Sequence, residues 1–265
     1  MLRRRTLALG LACASCVPLR ALATPLARVP ILLFHRFAAE AVDSMTLRIA
    51  NFESQLNLLR RMDCRVIPLS DWVAWRLALA RGEDAALPAR AVVLTADDGH
   101  ASQFEAMAPR LRERGWPATL FVYPSAISNA RYAMTWPQLR ELAADPLFSV
   151  QSHTYWHPNL LQERRRLPEA TFERFASGQL TRSRDSLVQH LGRPVDLLAW
   201  PFGLSDAGLG ELARQAGYAA AFSLGNRSAT ARDSLYEVPR HLVVDSIDAR
   251  QLAARLEAAF GASAP

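Results

Sequence analysis

Four short strand-like segments, three of them mostly apolar and one (Phe148–Gln151) alternating, each end on polar or turn-forming residues: Val29–Phe34 on His35, Ala91–Ala96 on Asp97-Asp98-Gly99, Phe148–Gln151 on Ser152-His153, and Leu197–Trp200 on Pro201-Phe202-Gly203. A continuous apolar run of this length reads as a strand buried on both faces, which is the condition of strands in parallel sheets. Amphipathic stretches separate the runs, so the chain reads as successive βα units. Their parallel sheet is either closed into a barrel or open and doubly wound, and in both cases sites gather at the C-terminal ends of the strands. One mouth would therefore receive every polar motif.

Between these runs the periodicity predicts helices over Asn51–Met62, Ser102–Arg114, Trp136–Ala144, Pro168–Leu191, Asp206–Ala216 and Ile247–Phe260, and one capped by Ser70 with Trp72, Val73 and Leu77 inward. Further strands are expected at Val66-Ile67, Ala118–Tyr123, Ala219–Ser223 and Val238–Val243. There is no internal repeat or low-complexity tract. The 265 residues suffice for a full core, and 50% apolar with 21% charged residues is globular composition.

Residues 1–23 read as an export signal: Arg3, Arg4 and Arg5, then an apolar run from Thr6 to Val17, then the small-x-small site Ala21-Leu22-Ala23. The run is too short to span a membrane. Paired arginines before Thr6-Leu7 also fit a twin-arginine signal. The expected organisation is thus a signal peptide over 1–23 and a catalytic domain over 24–265, exported to the periplasm or secreted. Removing the signal's four Arg lowers the net charge from +6 to +2, so the basic character argues little for nucleic acid. The chain has no Lys, which reads as composition bias. Cys13 and Cys16 leave with the signal, where the preceding residues fit a lipid-anchor motif poorly. Cys64 then stands alone, and an intramolecular disulfide is excluded.

Asp97-Asp98-Gly99 places two carboxylates side by side at a strand end, which is costly to bury unless a cation offsets them. One Asp could ligate a divalent metal while the other stays free as a base; the alternative is a turn with one Asp as helix cap. His153 and His157 lie four apart, a spacing that suits one metal if the segment turns helically. Thr154 and Pro158 favour a tight turn over a long helix. Two His and one Asp make a three-ligand set with open positions, the catalytic type. Zn2+ is the default for such a set, with Ni2+ or Co2+ as alternatives. His35 could act as a general acid, or simply end a strand. Gly203 permits a turn that would aim the Phe202 N–H into the mouth as an oxyanion donor, or the segment merely terminates the strand. Trp136, Tyr155, Trp156 and Trp200 flank these motifs; their faces suit sugar rings, although the strand pattern favours core packing for Trp200.

Thr95-Ala96-Asp97-Asp98-Gly99 resembles the Thr-Phe-Asp-Asp-Gly motif of the polysaccharide deacetylases, the NodB-homology or carbohydrate esterase family 4 group. Ser152-His153-Thr154-Tyr155-Trp156-His157 resembles that family's Ser-His-Thr-x-x-His, and Ala199-Trp200-Pro201-Phe202-Gly203 its Ala-Tyr-Pro-Tyr-Gly. With Phe34-His35 and Val238-Pro239-Arg240, the resemblance runs from Pro30 to about Val244 and is similar to the branch acting on poly-N-acetylglucosamine exopolysaccharides. It implies an α/β fold, an irregular (β/α) barrel short of eight units. It implies Asp97 as base, Asp98, His153 and His157 as ligands of a divalent metal, His35 as acid and the Phe202 backbone as oxyanion donor. Arg240 is the candidate to position the base, and a polysaccharide is the substrate.

Ala96 stands where the family has Phe, and Trp200 and Phe202 stand where it has Tyr; the family's late Asp-Trp segment is not apparent. These departures bear on the substrate more than on the reaction. A carbohydrate O-acetyl esterase and an inactive glycan-binding protein are the rival readings. A non-haem iron oxygenase shares the ligand types, but its His-x-Asp/Glu pair and antiparallel fold do not match an Asp far upstream of both His. Oligomeric state leaves no mark in the sequence.

Overall fold

The computed structural model describes residues 27–261. Residues 1–23, where the export signal is expected, lie outside the described residues with Cys13 and Cys16. The elements run β1 (Ile31–Phe34), β2 (Arg36–Ala38), β3 (Thr46–Arg48), α1 (Ile49–Arg61), β4 (Arg65–Val66), α2 (Leu69–Ala80), β5 (Ala91–Asp97), then a π-helical turn (Gln103–Met107) leading into α3 (Ala108–Arg112). They continue with β6 (Ala118–Val122), α4 (Trp136–Ala144), β7 (Phe148–Ser152), α5 (Leu160–Arg166), α6 (Glu169–Leu191), β8 (Leu197–Ala199), a 3-10 turn (Pro201–Gly203), α7 (Ala207–Gln215), β9 (Ala220–Leu224), β10 (Val238–Leu242) and α8 (Ala249–Gly261).

Seven parallel strands form a closed ring in the order β1-β5-β6-β7-β8-β9-β10. β1 closes it by pairing with β10 (Leu32 opposite His241) and with β5 (Ile31 opposite Val93 through Phe34 opposite Ala96). β4 sits outside the ring on the start of β5, with Arg65 opposite Ala91. The fold is therefore the irregular (β/α) barrel, one strand short of eight.

Because side chains alternate across a strand, the barrel has two cores. Ile31, Ala91, Val93, Phe121, Leu197, Ala199, Ala220, Phe222 and Val238 share one buried cluster with Leu69, Trp72 and Val73 of α2. Their neighbours Leu32, Phe34, Val92, Leu94, Leu120, Val150, Leu198 and Ala221 share the other with the outer helices. Five of the first group are the first residues of their strands, so α2 closes the barrel at the end opposite the polar motifs. Trp72 lies 6.2 Å from the Phe222 ring, which lies 5.6 Å from Phe121.

The helices over Trp136–Ala144 and Pro168–Leu191 fall where the periodicity predicts them, the first with a full capping box between Thr135 and Gln138. Ser70 does not cap α2: the helix starts at Leu69 after Pro68, and Ser70 lies in its first turn. The helix expected over Ser102–Arg114 carries the π turn in its first half. β2 and β3 pair only with each other; at three residues each they have no periodicity to read. α5, capped by Asn159, is too short to show one.

The plug should matter to stability. Trp72 is fully buried, and Trp72→Ala should cost about 3–5 kcal/mol of unfolding free energy, measured by denaturant titration. A loss below about 1 kcal/mol would mean that α2 does not close the barrel core.

Candidate active site

Strand parity decides which side chains reach the mouth. On β5 the inward positions are Ala91, Val93, Thr95 and Asp97; on β10 they are Val238, Arg240 and Leu242. The same count carries β1 to His35, β6 to Tyr123, β7 to His153 and β9 to Leu224. His35, Asp97, Asp98, Tyr123, His153, His157, Phe202, Leu224 and Leu242 all line one cavity of about 410 Å³.

The loops after the strands complete the set. Asp98 and Gly99 both take left-handed backbone, φ 76° and 69°. A Cβ at Gly99 would sit 3.1 Å from Val122 Cγ1. The segment His153–His157 is not helical. Thr154 and His157 are left-handed, φ 62° and 64°, and the His157 N–H donates to Thr154 Oγ1 at 3.2 Å. A tight loop, and not a shared helix face, brings the two imidazoles together. Non-glycine residues in this region of backbone space are strained and cluster at functional sites. Asp98, Thr154, His157 and Phe202 are four such residues around one mouth.

Asp98, His153 and His157 each offer one ligand atom, and these atoms lie within 4.8 Å of one another. Asp98 Oδ1 is 3.6 Å from the Nε2 of both His153 and His157. Tetrahedral ligands at about 2.0–2.2 Å from a zinc ion stand about 3.4 Å apart, so the triad is close to metal-ready. The His153 Nδ1–H donates to the Ala199 carbonyl at 2.8 Å. That bond fixes the tautomer and leaves the Nε2 lone pair directed at the triad. Burial pushes the His153 imidazole down to about 3, with Asp97 opposing, and burial also lowers His157. Both rings are thus neutral ligands near neutral pH. Burial raises the Asp98 carboxyl above its usual range, against the pull of His35. A group that needs a cation to ionise fits a metal ligand.

Asp97 lies beside the triad, its Oδ2 3.8 Å from His153 Nε2, but its carboxylate is taken up by a different partner. Arg240 grips it in a fork, Nη1 to Oδ1 and Nη2 to Oδ2, both 2.7 Å. Both side chains are buried. Burial alone would raise the Asp97 carboxyl; the Arg240 guanidinium, through its charge and its hydrogen bonds, leads the groups that outweigh burial and hold the acid below its usual range. Arg240 also approaches the Thr95 hydroxyl at 3.3 Å and lies 5.3 Å from the Phe121 ring. His35 faces the same cavity. Burial lowers its proton affinity, while Asp97 and Asp98 raise it.

Phe202 sits at φ 59° in the 3-10 turn, with its ring over His157 at 4.8 Å and 53% exposed. Gly203 follows at φ 66°, and a Cβ there would lie 2.3 Å from Leu224 Cγ. Only glycine lets this turn approach β9. Trp200 is buried and its indole N–H donates to the Tyr236 carbonyl, so it belongs to the core. Trp136 is covered by His190, ring centroids 3.8 Å apart. Tyr155 lies under the Arg182 guanidinium. Of the four flanking aromatics Trp156 is the exposed one.

Arg36, Met45 and Tyr123 line the cavity without having been singled out in the sequence. Tyr123 was within reach of the parity argument, one residue past β6, and its hydroxyl pairs with that of Tyr132. His100 is outside the site: it bonds Ser102 and stacks on Tyr132. Among the described residues no helix is long and apolar enough to cross a membrane.

Comparison with known proteins points the same way. The family pattern described as "Polysaccharide deacetylase" matches residues 84–221. The chain is 22% identical over 212 residues to poly-β-1,6-N-acetyl-D-glucosamine N-deacetylase of Staphylococcus aureus (strain MRSA252), covering 78% of this chain and 71% of that protein. The structure of IcaB from Ammonifex degensii superposes with a TM-score of 0.74 at 25% identity, over 87% of this chain and 97% of that one. The Streptococcus pyogenes deacetylase PplD, in complex with acetate, superposes with a TM-score of 0.75 at 21% identity, over 87% and 98%.

The Asp97–Arg240 pair yields a stability test with a defined sign. The folded Asp97 acid lies below its unfolded value of about 3.9, so the pair's contribution is complete above that value and is lost as pH falls through the folded one. Arg240→Met strands a buried carboxylate and should cost about 3–5 kcal/mol at pH 7, with a smaller cost at pH 3. An equal cost at both pH values in denaturant melts would contradict the pair's ionised state.

Proposed function

This chain belongs to the polysaccharide deacetylase family, and we propose that it removes N-acetyl groups from a poly-N-acetylglucosamine-type polymer, with a divalent ion held by Asp98, His153 and His157. The observation that supports the reading is the difference between the two adjacent aspartates: Asp98 Oδ1 is 3.6 Å from both imidazoles, while Asp97, 3.8 Å from His153 alone, has both its oxygens engaged by Arg240. Zn2+ is the first choice for two His and one Asp with open positions, with Ni2+ and Co2+ next. When bound, the ion supplies Lewis-acid polarisation of the acetyl carbonyl and lowers the pKa of a water at the site.

Asp97 takes the proton of the attacking water, and its fork with Arg240 keeps the accepting oxygens in place. The Phe202 N–H, in its left-handed turn beside His157, is the donor to the oxyanion. His35 gives a proton to the departing amine nitrogen; burial lowers its proton affinity, and the Asp97 and Asp98 carboxylates beside it favour the protonated form that this step needs. Acetate and a free amino sugar leave. The relatives' activity on β-1,6-linked N-acetylglucosamine makes that polymer the first substrate to try. The same site could serve an O-acetyl ester, whose leaving alkoxide also needs a proton. Export by the 1–23 signal would deliver the enzyme to an extracytoplasmic glycan, and N-terminal sequencing of the secreted protein should begin at Thr24.

Purified residues 24–265, stripped of metal and then resupplied with Zn2+, should release acetate from poly-β-1,6-N-acetylglucosamine oligomers only after resupply. Asp97→Asn should keep one ion per chain and lose about 10²–10⁴-fold in turnover. Release from acetylated xylan alone would move the enzyme to the esterases. Full activity of Asp97→Asn would remove Asp97 as the base.

A further inference from the structure

Gln103 is fully buried in the π-helical turn that follows the Asp97–Gly99 loop, and no motif includes it. Its side-chain amide donates to two backbone carbonyls, His35 O at 2.7 Å and Asp97 O at 2.5 Å. Both partners are acceptors, so the amide nitrogen must face them.

These two carbonyls occupy a particular place in the barrel. The parallel ladder between β1 and β5 ends at Phe34 opposite Ala96. His35 and Asp97 are the next register pair, one step past the last ladder partners. There the Gln103 amide joins the two strands. The neighbouring residue tightens the same junction: the Phe37 N–H donates to Ser102 Oγ at 2.9 Å. Segment 35–37 is thus clipped to the start of the helix after β5. A π turn is rare, appears often at functional sites, and here holds the residue that makes the bridge.

We propose that Gln103 is a positioning residue for the reaction: its amide sets the separation of His35 and Asp97, the acid and the base, by tying their backbones together. The inference rests on the functional reading above. Gln103 touches neither the substrate cavity nor the metal triad; Asp98, His153 and His157 are held by their own loops and by the Ala199 carbonyl. Its loss should therefore disturb proton transfer and spare both metal and substrate binding. A misplacement of reacting groups by a fraction of an ångström is enough for a large rate loss.

The test is a double-mutant cycle on acetate release from poly-β-1,6-N-acetylglucosamine oligomers by the Zn2+-loaded chain. Gln103→Met matches the side chain in length and removes both donors. It should lower kcat by about 10-fold or more with KM within about 2-fold, and should still bind one Zn2+ per chain in a titration followed by calorimetry. In a His35→Ala background the same change should cost less than about 3-fold, because the pair it aligns is already broken. Gln103→Asn keeps the amide but is too short to reach both carbonyls; it should repeat the kcat loss if the Met variant fails to fold. Equal losses in the presence and absence of His35, or an unchanged kcat in a folded variant, would overturn the proposal and leave Gln103 a packing residue. A wild-type chain without acetate release, or a His35→Ala chain at full rate, would instead overturn the functional reading itself.

Discussion

Closure of the ring through the β1–β5 ladder is the constraint on which the site depends. Four register pairs, Ile31 with Val93 through Phe34 with Ala96, lay β1 against β5. Without that pairing the sheet would be open, and His35 would have no reason to stand beside Asp97. With it, alternate residues of seven strands point into one interior. The lower layers are filled by Ile31, Val93, Phe121 and Phe222 under the Trp72 plug. Above that packing, His35, Asp97, Tyr123 and His153 face the cavity together with Leu224 and Leu242.

The upper layer then has an electrostatic problem with two solutions. Adjacent carboxylates at a strand end repel and resist burial. Asp97 is neutralised by a buried guanidinium delivered from the opposite end of the ring closure, on β10. Asp98, turned away by a left-handed backbone, has no arginine of its own and meets two neutral imidazoles. One carboxylate is thus supplied with a permanent cation and the other is left to bind one. On the proposed reading that asymmetry is what separates a base from a ligand, and Gly99 permits it by letting the loop pass close to Val122.

Much of this was legible in the sequence because the signals were periodic or punctuated. The buried strands, the long helix ending at Leu191 and the layer of polar strand ends followed from apolar runs and their terminators. The same parity would have added Tyr123 to the site, since it is one residue past an apolar run, as His35 is. Arg36 and Met45 were out of reach: they lie at β2 and beside β3, elements too short to carry a period. The loop geometry of His153–His157 was also hidden. Glycine is the usual sign of left-handed backbone, and here Thr154 and His157 adopt it themselves, held by a side-chain hydrogen bond that composition does not reveal. Gln103 was invisible for a related reason, since nothing in a helical pattern marks a glutamine that reaches back across two strands.

On the proposed reading one carboxylate of the Asp97-Asp98 pair binds the ion and the other does not. Anomalous diffraction at the zinc edge, from crystals of the metal-loaded protein, distinguishes the two carboxylates. The expected result is a single peak about 2.0–2.2 Å from Asp98 and from the Nε2 atoms of His153 and His157, with Asp97 still forked to Arg240. An ion bridging both aspartates, or one bound by Asp97 with Arg240 released, would contradict it.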